Sequence, residues 1–327
     1  MDRSADMRMV YVVDPWQSDS GPTECEIESR ILKGVAKVSV LCLNNDEELL
    51  PYAPDAEGII ISHLPQLTRK SLSQLPRMRV IVRKGVGVDN VDTVAAREFG
   101  IPVCNVPDYG TEEVADHALS LALTLWRRVV PLNDNVRAGH WDWWVARDIK
   151  RTRGCVFGVV GCGRIGTAAI RRARAFGFDS VFEDPYLPSG YEKALGVRRV
   201  DTLNELLQIA DIVSFHVPLT EETHHFMGQD QFQQLKPGAC LVNTSRGPII
   251  DEKALVEALK AGRLGGVALD VLDHEPVPPP ELLSSHNCIL TPHVGFYSAE
   301  ALTELREKCA LLVLDALTGK KLKNVVN

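Results

Sequence analysis

No stretch of this sequence approaches the roughly 18 consecutive apolar residues that a membrane span needs. The run Met9–Val13 follows a start with charges on both sides. It is too short for the hydrophobic region of a signal peptide and reads as a first strand. Paired cysteines are missing too. Eight cysteines (Cys25, Cys42, Cys104, Cys155, Cys162, Cys240, Cys288 and Cys309) lie far apart, none in a Cys-x-x-Cys pair. That pattern predicts reduced, structural thiols in a cytoplasmic protein and argues against a metal site or a thiol nucleophile. Positive charge is not in excess, since 36 Lys and Arg face 43 Asp and Glu for a formal net charge of −7. Nucleic acid and anionic membranes are therefore poor partners, although a local basic pocket for an anionic substrate stays open. There is no internal repeat and no low-complexity tail. What is present is an ordinary globular mixture, 45% apolar and 24% charged over 327 residues, which suits two domains.

The first hundred residues alternate β-rich runs with amphipathic stretches. Val10–Val13, Val38–Leu43, Gly58–Ile61, Val80–Val82 and Val103–Val106 read as strands, with helices at Glu24–Leu32 and Leu67–Leu75. Such alternation predicts a parallel sheet covered on both faces. Residues 112–130 form one long helix that is apolar on almost every face, with Asp108 and Thr111 as candidate caps. It is expected to be buried all round, linking domains and joining a subunit interface. From Cys155 a second alternation runs through strands at 156–160, 180–183, 212–216, 240–243, 266–271 and 288–291. Helices are expected at 164–176, 202–209, 228–235 and 251–261, and this is the pattern of a doubly wound sheet. Residues 276–280 read as a surface loop and 298–318 as an amphipathic helix that returns to the first domain.

Gly161-Cys-Gly-Arg-Ile-Gly166 follows a strand and opens a helix, and Asp184 comes 18 residues later at the end of the next strand. In that context each part has a task. Gly161 permits the tight turn, Gly163 lets the backbone approach a pyrophosphate, and Gly166 lets helix pack on strand. The helix N-terminus offers amides to phosphate, and Asp184 accepts the adenosine ribose hydroxyls. A carboxylate there repels the 2′-phosphate of NADP, so NAD is the expected cofactor. Arg198 and Arg199 lie near enough in sequence to leave NADP open.

Three charged residues follow apolar strands of the second half: Arg246, Glu275 and His293. Taken singly, each has an ordinary reading as a surface ion pair or helix cap. Together, behind a dinucleotide motif, they suit reduction of a 2-oxo acid. A histidinium gives the proton, a neighbouring carboxylate fixes its tautomer and stabilises its charge, and a guanidinium holds the substrate carboxylate.

Gly161–Gly166, Asn243–Asp251, Gly266–Asp270, His274-Glu-Pro276 and Thr291-Pro-His293 closely resemble the signature segments of the D-isomer-specific 2-hydroxyacid dehydrogenases. The resemblance covers nearly the whole chain. It implies an α/β fold of two doubly wound parallel-sheet domains. One is a Rossmann NAD-binding domain at 108–297; the other is a discontinuous flavodoxin-like substrate domain at 1–107 and 298–327. It assigns substrate activation to Arg246, acid–base work to His293, support to Glu275, and the nicotinamide carboxamide region to Asp270. Arg83, Val86 and Gly87 would grip the substrate carboxylate, with Phe296 in the pocket. The remaining cofactor positions are Arg164, Ile165, Pro185, His216, Val217, Pro218, Thr223, Thr244, Ser245 and Gly295. The family is usually homodimeric, which would place Arg137–Trp141 on an arm reaching the partner.

Within the family the nearest look-alike is the C-terminal binding protein branch, through Phe182–Tyr186, Glu192–Gly196, Asp251–Leu255 and Pro292–Ser298. Animal members of that branch act as NAD(H)-responsive transcriptional corepressors. An NAD(H)-sensing scaffold is therefore the alternative to an enzyme reducing a 2-oxo acid to a D-2-hydroxy acid. The tryptophan expected in that branch's pocket is Phe296 here, and a chain ending at Asn327 without a long tail or a basic or low-complexity appendage favours the enzyme. Formate oxidation is disfavoured because the formate enzymes carry glutamine where this chain has Glu275. A phosphoglycerate dehydrogenase with a regulatory domain would need more chain. Phe296, Tyr109 and the tryptophans at 141, 143 and 144 hint at a substrate bulkier than glyoxylate or pyruvate, with interface packing as their equal alternative.

Overall fold

The computed structural model describes residues 7–14 and 25–327, so the charged start at 1–6 and the helix start at Glu24 lie outside the described residues. The chain divides into two units, Met1–Gly110 with Ser298–Asn327, and Thr111–Tyr297. The first unit begins with β1 (Arg8–Val13), α1 (Glu26–Ile31), β2 (Ala36–Leu41) and β3 (Ala56–Ile61). It continues with α2 (Arg69–Leu72), β4 (Val80–Arg83), α3 (Thr93–Glu98) and β5 (Val103–Cys104). All pairings are parallel, in the order β2-β1-β3-β4-β5, the flavodoxin-like arrangement. β3 and β4 carry continuous β-branched runs and are buried along most of their length, as a parallel sheet covered on both faces requires.

β5 stops two residues short of the expected Val106. The amide of Asn105 is taken by Asn324 O (3.2 Å) and that of Val106 by Gly85 O (3.0 Å), so neither continues the ladder. The C-terminal tail instead lies antiparallel along β5 through the Cys104–Val325 bridge and covers the sheet edge. Between β2 and β3, residues 46–55 form a 3₁₀ helix, since Pro51 and Pro54 deny an α-helix its amides.

The second unit opens with α4 (Thr111–Trp126) and α5 (Val129–Arg137). The single helix expected over 112–130 is therefore broken at Arg128, which is left-handed (φ 54°) and donates to Gly265 O at 2.8 Å. α4 is also not buried all round, because Glu112, Asp116 and Ser120 form an exposed stripe at helical spacing. Next come β6 (Val156–Val160), α6 (Arg164–Ala175), β7 (Asp179–Glu183), α7 (Tyr191–Leu195), β8 (Arg198–Val200) and α8 (Leu203–Ile209). β9 (Ile212–Phe215), α9 (Gln229–Gln234), β10 (Ala239–Asn243), α10 (Glu252–Lys260), β11 (Leu264–Leu269), α11 (Pro280–Leu283) and β12 (Cys288–Leu290) complete it. The order β12-β11-β10-β9-β6-β7-β8, all parallel, is a Rossmann sheet extended by one strand. Its two faces bury separate clusters, one around Leu206, Phe215, Phe232 and Leu255, the other around Leu121, Phe157, Phe178 and Phe182. Each such side chain contributes about 1.5–3 kcal/mol of burial.

The last helix, α12 (Ala299–Leu317), belongs to the first unit, where it packs on β3, β4 and α1. Asp108 pairs with Lys308 of this helix at 2.8 Å. Arg306 makes a two-pronged pair with Glu28 of α1 (2.9 and 2.7 Å), whose side chain is 2% exposed. Removing the guanidinium strands a buried carboxylate. Arg306→Ala should therefore cost about 3 kcal/mol of stability, the lower end of the range for breaking a buried pair. Urea unfolding checks this, and a loss below the usual scatter of surface substitutions would contradict it.

Candidate active site

The glycine turn sits where strand order reverses, between β6 and β9, the place where open α/β sheets bind ligands. Gly161 has φ 86°, and a Cβ there would meet Val217 Cγ1 at 2.7 Å and His216 O at 2.8 Å. A Cβ on Gly166 would lie 2.0 Å from Gly161 O, so helix and turn touch only because residue 166 is glycine. Gly163 and Arg164 are exposed between these buried neighbours, which presents the first amides of α6 to a phosphate. Ile165 is half-buried behind them.

Asp184 follows β7, and its carboxylate accepts from Cys162 N (2.9 Å) and Tyr186 N (3.0 Å), tying the acid and Pro185 to the glycine turn. Arg199 donates to Asp184 O and Leu187 O, so its guanidinium is committed to loop carbonyls rather than to a nucleotide 2′-phosphate. His216 is neutral: burial pushes its imidazole down to about 4, and Nε2 meets Ser214 Oγ at 2.9 Å. Thr223 Oγ1 donates to Pro218 O at 2.6 Å and shapes the loop after β9. Thr244 Oγ1 is buried without a hydrogen-bond partner among the described residues, a position that a bound nucleotide would satisfy. These residues fit NAD. Asp184→Ser should weaken NADH binding and strengthen NADPH binding, read as the ratio of the two dissociation constants. An unchanged ratio would contradict the assigned role.

Beside Asp184, Glu183 is 6% exposed on β7. Burial, then the charge of Asp184, pushes its carboxyl up to about 7, against the opposing pull of Arg199. Its folded value thus lies above the ordinary 4.5, and the fold binds this proton more tightly than the unfolded chain does. That contribution is complete below the unfolded value and is lost as pH rises through about 7. Glu183→Gln should accordingly raise Tm at pH 8 more than at pH 4.5. Equal shifts at the two pH values would contradict the assignment.

The candidate acid–base pair, Glu275 and His293, meets beyond the ends of β11 and β12. His293 Nδ1 is 2.8 Å from Glu275 Oε2, and each side chain is about one-third exposed. A carboxylate only accepts, so Nδ1 carries the hydrogen and Nε2 is left to serve a substrate. Leu272 N–H donates to Glu275 Oε1 at 3.1 Å and fixes the carboxylate from the other side. His293 itself is left-handed (φ 52°), a conformation costing a non-glycine residue on the order of 1–3 kcal/mol and typical of sites held by their surroundings. The rings of Phe296 and His293 meet edge to face, with centroids 6.4 Å apart.

Arg246 lies in the turn after β10, and buried Asn243 builds that turn. Its Oδ1 accepts from Ser245 N (3.0 Å) and Ser245 Oγ (2.7 Å), while Nδ2 donates to Arg246 O (2.8 Å). Arg246 Nη1 donates to Ser245 O at 2.7 Å. Gly247 then lets the turn press against the next strand end, since a Cβ there would meet the Leu272 carbonyl carbon at 1.9 Å. The arginine turn and the Leu272–Glu275 segment are thereby packed backbone to backbone.

Asp270, at the end of β11, has a side chain only 2% exposed. Burial raises its pKa, but hydrogen bonds from His117, Thr291, Val294 N and Gly295 N outweigh this and hold the carboxyl below its usual range. In the first unit, Arg83 ends β4 and donates to Lys84 O at 2.8 Å, while Val86 is 40% exposed and its carbonyl accepts from Asn105. Gly87 is half-buried in the same turn. Tyr109 is a buried core residue, whereas Trp141, Trp143 and Trp144 are exposed at 92%, 64% and 61%. The sequence does not single out His117, and it offers Asn243 and Thr291 only as the first residues of two signature segments.

The sequence model for the "D-isomer specific 2-hydroxyacid dehydrogenase, NAD binding domain" matches residues 119–295. D-3-phosphoglycerate dehydrogenase of Methanocaldococcus jannaschii is 38% identical over 98% of this chain, which spans 60% of that protein's length. Glyoxylate reductase of Korarchaeum cryptofilum is 36% identical over 97% of this chain and 90% of its own. Among solved structures, D-lactate dehydrogenase from Aquifex aeolicus, complexed with NAD and lactic acid, superposes with a TM-score of 0.85. It is 27% identical over 95% of this chain and 96% of its own. These relatives are dehydrogenases and reductases and lend no support to the corepressor alternative. No helix among the described residues is long and apolar enough to cross a membrane. The chain belongs to the D-isomer-specific 2-hydroxyacid dehydrogenase family, and its second unit is that family's NAD-binding domain.

Proposed function

We propose that this protein reduces a small 2-oxo acid to the D-2-hydroxy acid at the expense of NADH. The observation that carries the reading is the 2.8 Å pairing of His293 Nδ1 with Glu275, beside the arginine turn built by Asn243 and Gly247. When bound, NADH supplies the hydride for C2 of the acid. His293 Nε2 gives the proton to the carbonyl oxygen, and Glu275 stabilises the imidazolium beforehand. Arg246 holds the substrate carboxylate with two directed donors and draws charge toward the oxo oxygen. Arg83, Val86 and Gly87 are assigned to substrate binding, as is Phe296. Asp270 serves the carboxamide region, and Asp184 the ribose. The names of relatives acting on glyoxylate, lactate and phosphoglycerate favour a short 2-oxo acid.

The protein is further assigned as a cytoplasmic homodimer. All eight cysteines are free thiols, as a reducing compartment keeps them. α5 exposes Val129, Val130 and Val136, and three tryptophans follow it into solvent, an apolar surface that a second copy would cover. NADH oxidation across a panel of 2-oxo acids, with chiral analysis of the product, tests the central reading. At least one acid should be reduced far above the buffer rate to the D-product. NADH that binds tightly yet is oxidised by no acid in the panel would overturn it.

A further inference from the structure

His117 stands on α4, which packs on β10 and β11, and its side chain is 22% exposed. Its Nε2 lies 3.0 Å from Thr291 Oγ1 and 3.4 Å from Asp270 Oδ1. Thr291 Oγ1 donates to Asp270 Oδ1 at 2.6 Å. The single threonine hydrogen is thus committed to Asp270, so the threonine oxygen accepts and His117 Nε2 carries the hydrogen. A chain of directed hydrogen bonds runs from α4 to the end of β11.

That chain ends on the turn carrying His293. Val294 N and Gly295 N donate to the Asp270 carboxylate at 2.9 and 2.8 Å. His293 N donates to the backbone oxygens of Asp270 (2.8 Å) and Thr291 (3.0 Å). The turn 291–295 is therefore closed upon one buried aspartate by side-chain and backbone donors together. His293 has its left-handed backbone (φ 52°) within that closure. A Cβ on Gly295 would lie 2.9 Å from Asp270 Oδ2 and 3.2 Å from His117 Cδ2, so the imidazole also packs against the turn.

We propose that His117 and Thr291 are positioning residues for the reaction: through Asp270 they lock the 291–295 turn and so set where His293 Nε2 delivers its proton. The inference rests on the reading of His293 as proton donor. A misplacement near 1 Å in a reacting group costs on the order of 10²-fold in rate. Loss of the hydrogen-bonded arm should therefore be felt in the chemical step rather than in substrate affinity.

The test uses the full chain with NADH and the fastest acid of the panel. Single-turnover rate, substrate KM and Tm are measured for Thr291→Val, His117→Phe, His117→Gln and the Thr291→Val/His117→Phe pair. The valine removes only the hydroxyl donor, and glutamine keeps an N–H near the position of Nε2. Thr291→Val and His117→Phe should each slow the single turnover roughly 10- to 100-fold while KM moves less than about threefold. His117→Gln should recover most of the rate. The pair should fall little below Thr291→Val alone, because both act through one carboxylate.

Variants that lower Tm but keep the single-turnover rate within about twofold of the parent would overturn the inference, leaving His117 a packing residue. His117→Gln as slow as His117→Phe would overturn it as well. If the unaltered chain oxidises NADH with no acid, the proton-donor reading itself fails, and this inference fails with it.

Discussion

His293→Ala is expected to slow reduction of the 2-oxo acid by roughly 10²- to 10⁴-fold, the span assigned to general acid catalysis. NADH affinity should stay close to that of the parent, since the imidazole is engaged by Glu275 and the Phe296 ring rather than by the glycine loop. Glu275→Gln should give a smaller loss, because an amide still meets Nδ1 but no longer stabilises an imidazolium. The contrast separates proton delivery from mere orientation. The check is stopped-flow hydride transfer alongside fluorescence titration of NADH. Lost NADH binding with an undiminished residual rate would place His293 in the nucleotide site instead.

Arg246→Ala should damage both affinity and turnover. A guanidinium bound to a desolvated carboxylate is a charge-assisted, two-donor contact, and truncating such a partner costs about 2–5 kcal/mol. That corresponds to a loss of roughly 30-fold to several thousand-fold in kcat/KM at about 1.4 kcal/mol per decade. Lysine should rescue poorly, since one ammonium cannot hold a carboxylate and polarise an oxo oxygen from fixed positions. Steady-state kinetics over a wide range of acid concentration checks this. A variant with raised KM but unchanged kcat would limit Arg246 to uniform binding. The turn supporting Arg246 depends on Asn243 and Gly247, so defects at those positions should follow the arginine's pattern.

Much of the fold and site was readable because each feature had a local signature. The glycine turn, Asp184 and the three charged strand ends all follow apolar runs whose burial their composition dictates, and the parallel sheets place them as expected. Features without a local signature were missed. β8 is only Arg-Arg-Val, so no alternation marks it, and the break at Arg128 depends on a contact with Gly265, far along the chain. β5 is shortened where the tail residue Asn324 takes the amide of Asn105, which no window around Val103 could reveal. Nothing in the sequence around His117 marks it, because its partner Thr291 lies 174 residues away. Asn243 looked like the end of a strand, yet it shapes the turn carrying Arg246.

The central claim is that Arg246 binds the carboxylate of a 2-oxo acid while His293 protonates its oxygen. A crystal structure with NADH and an unreactive 2-oxo acid analogue tests it most directly. The account predicts Arg246 paired with the carboxylate and His293 Nε2 within about 2.6–3.2 Å of the oxo oxygen, with Glu275 still on Nδ1. An analogue bound with its oxo oxygen turned away from His293, or with Arg246 unpaired, would contradict it.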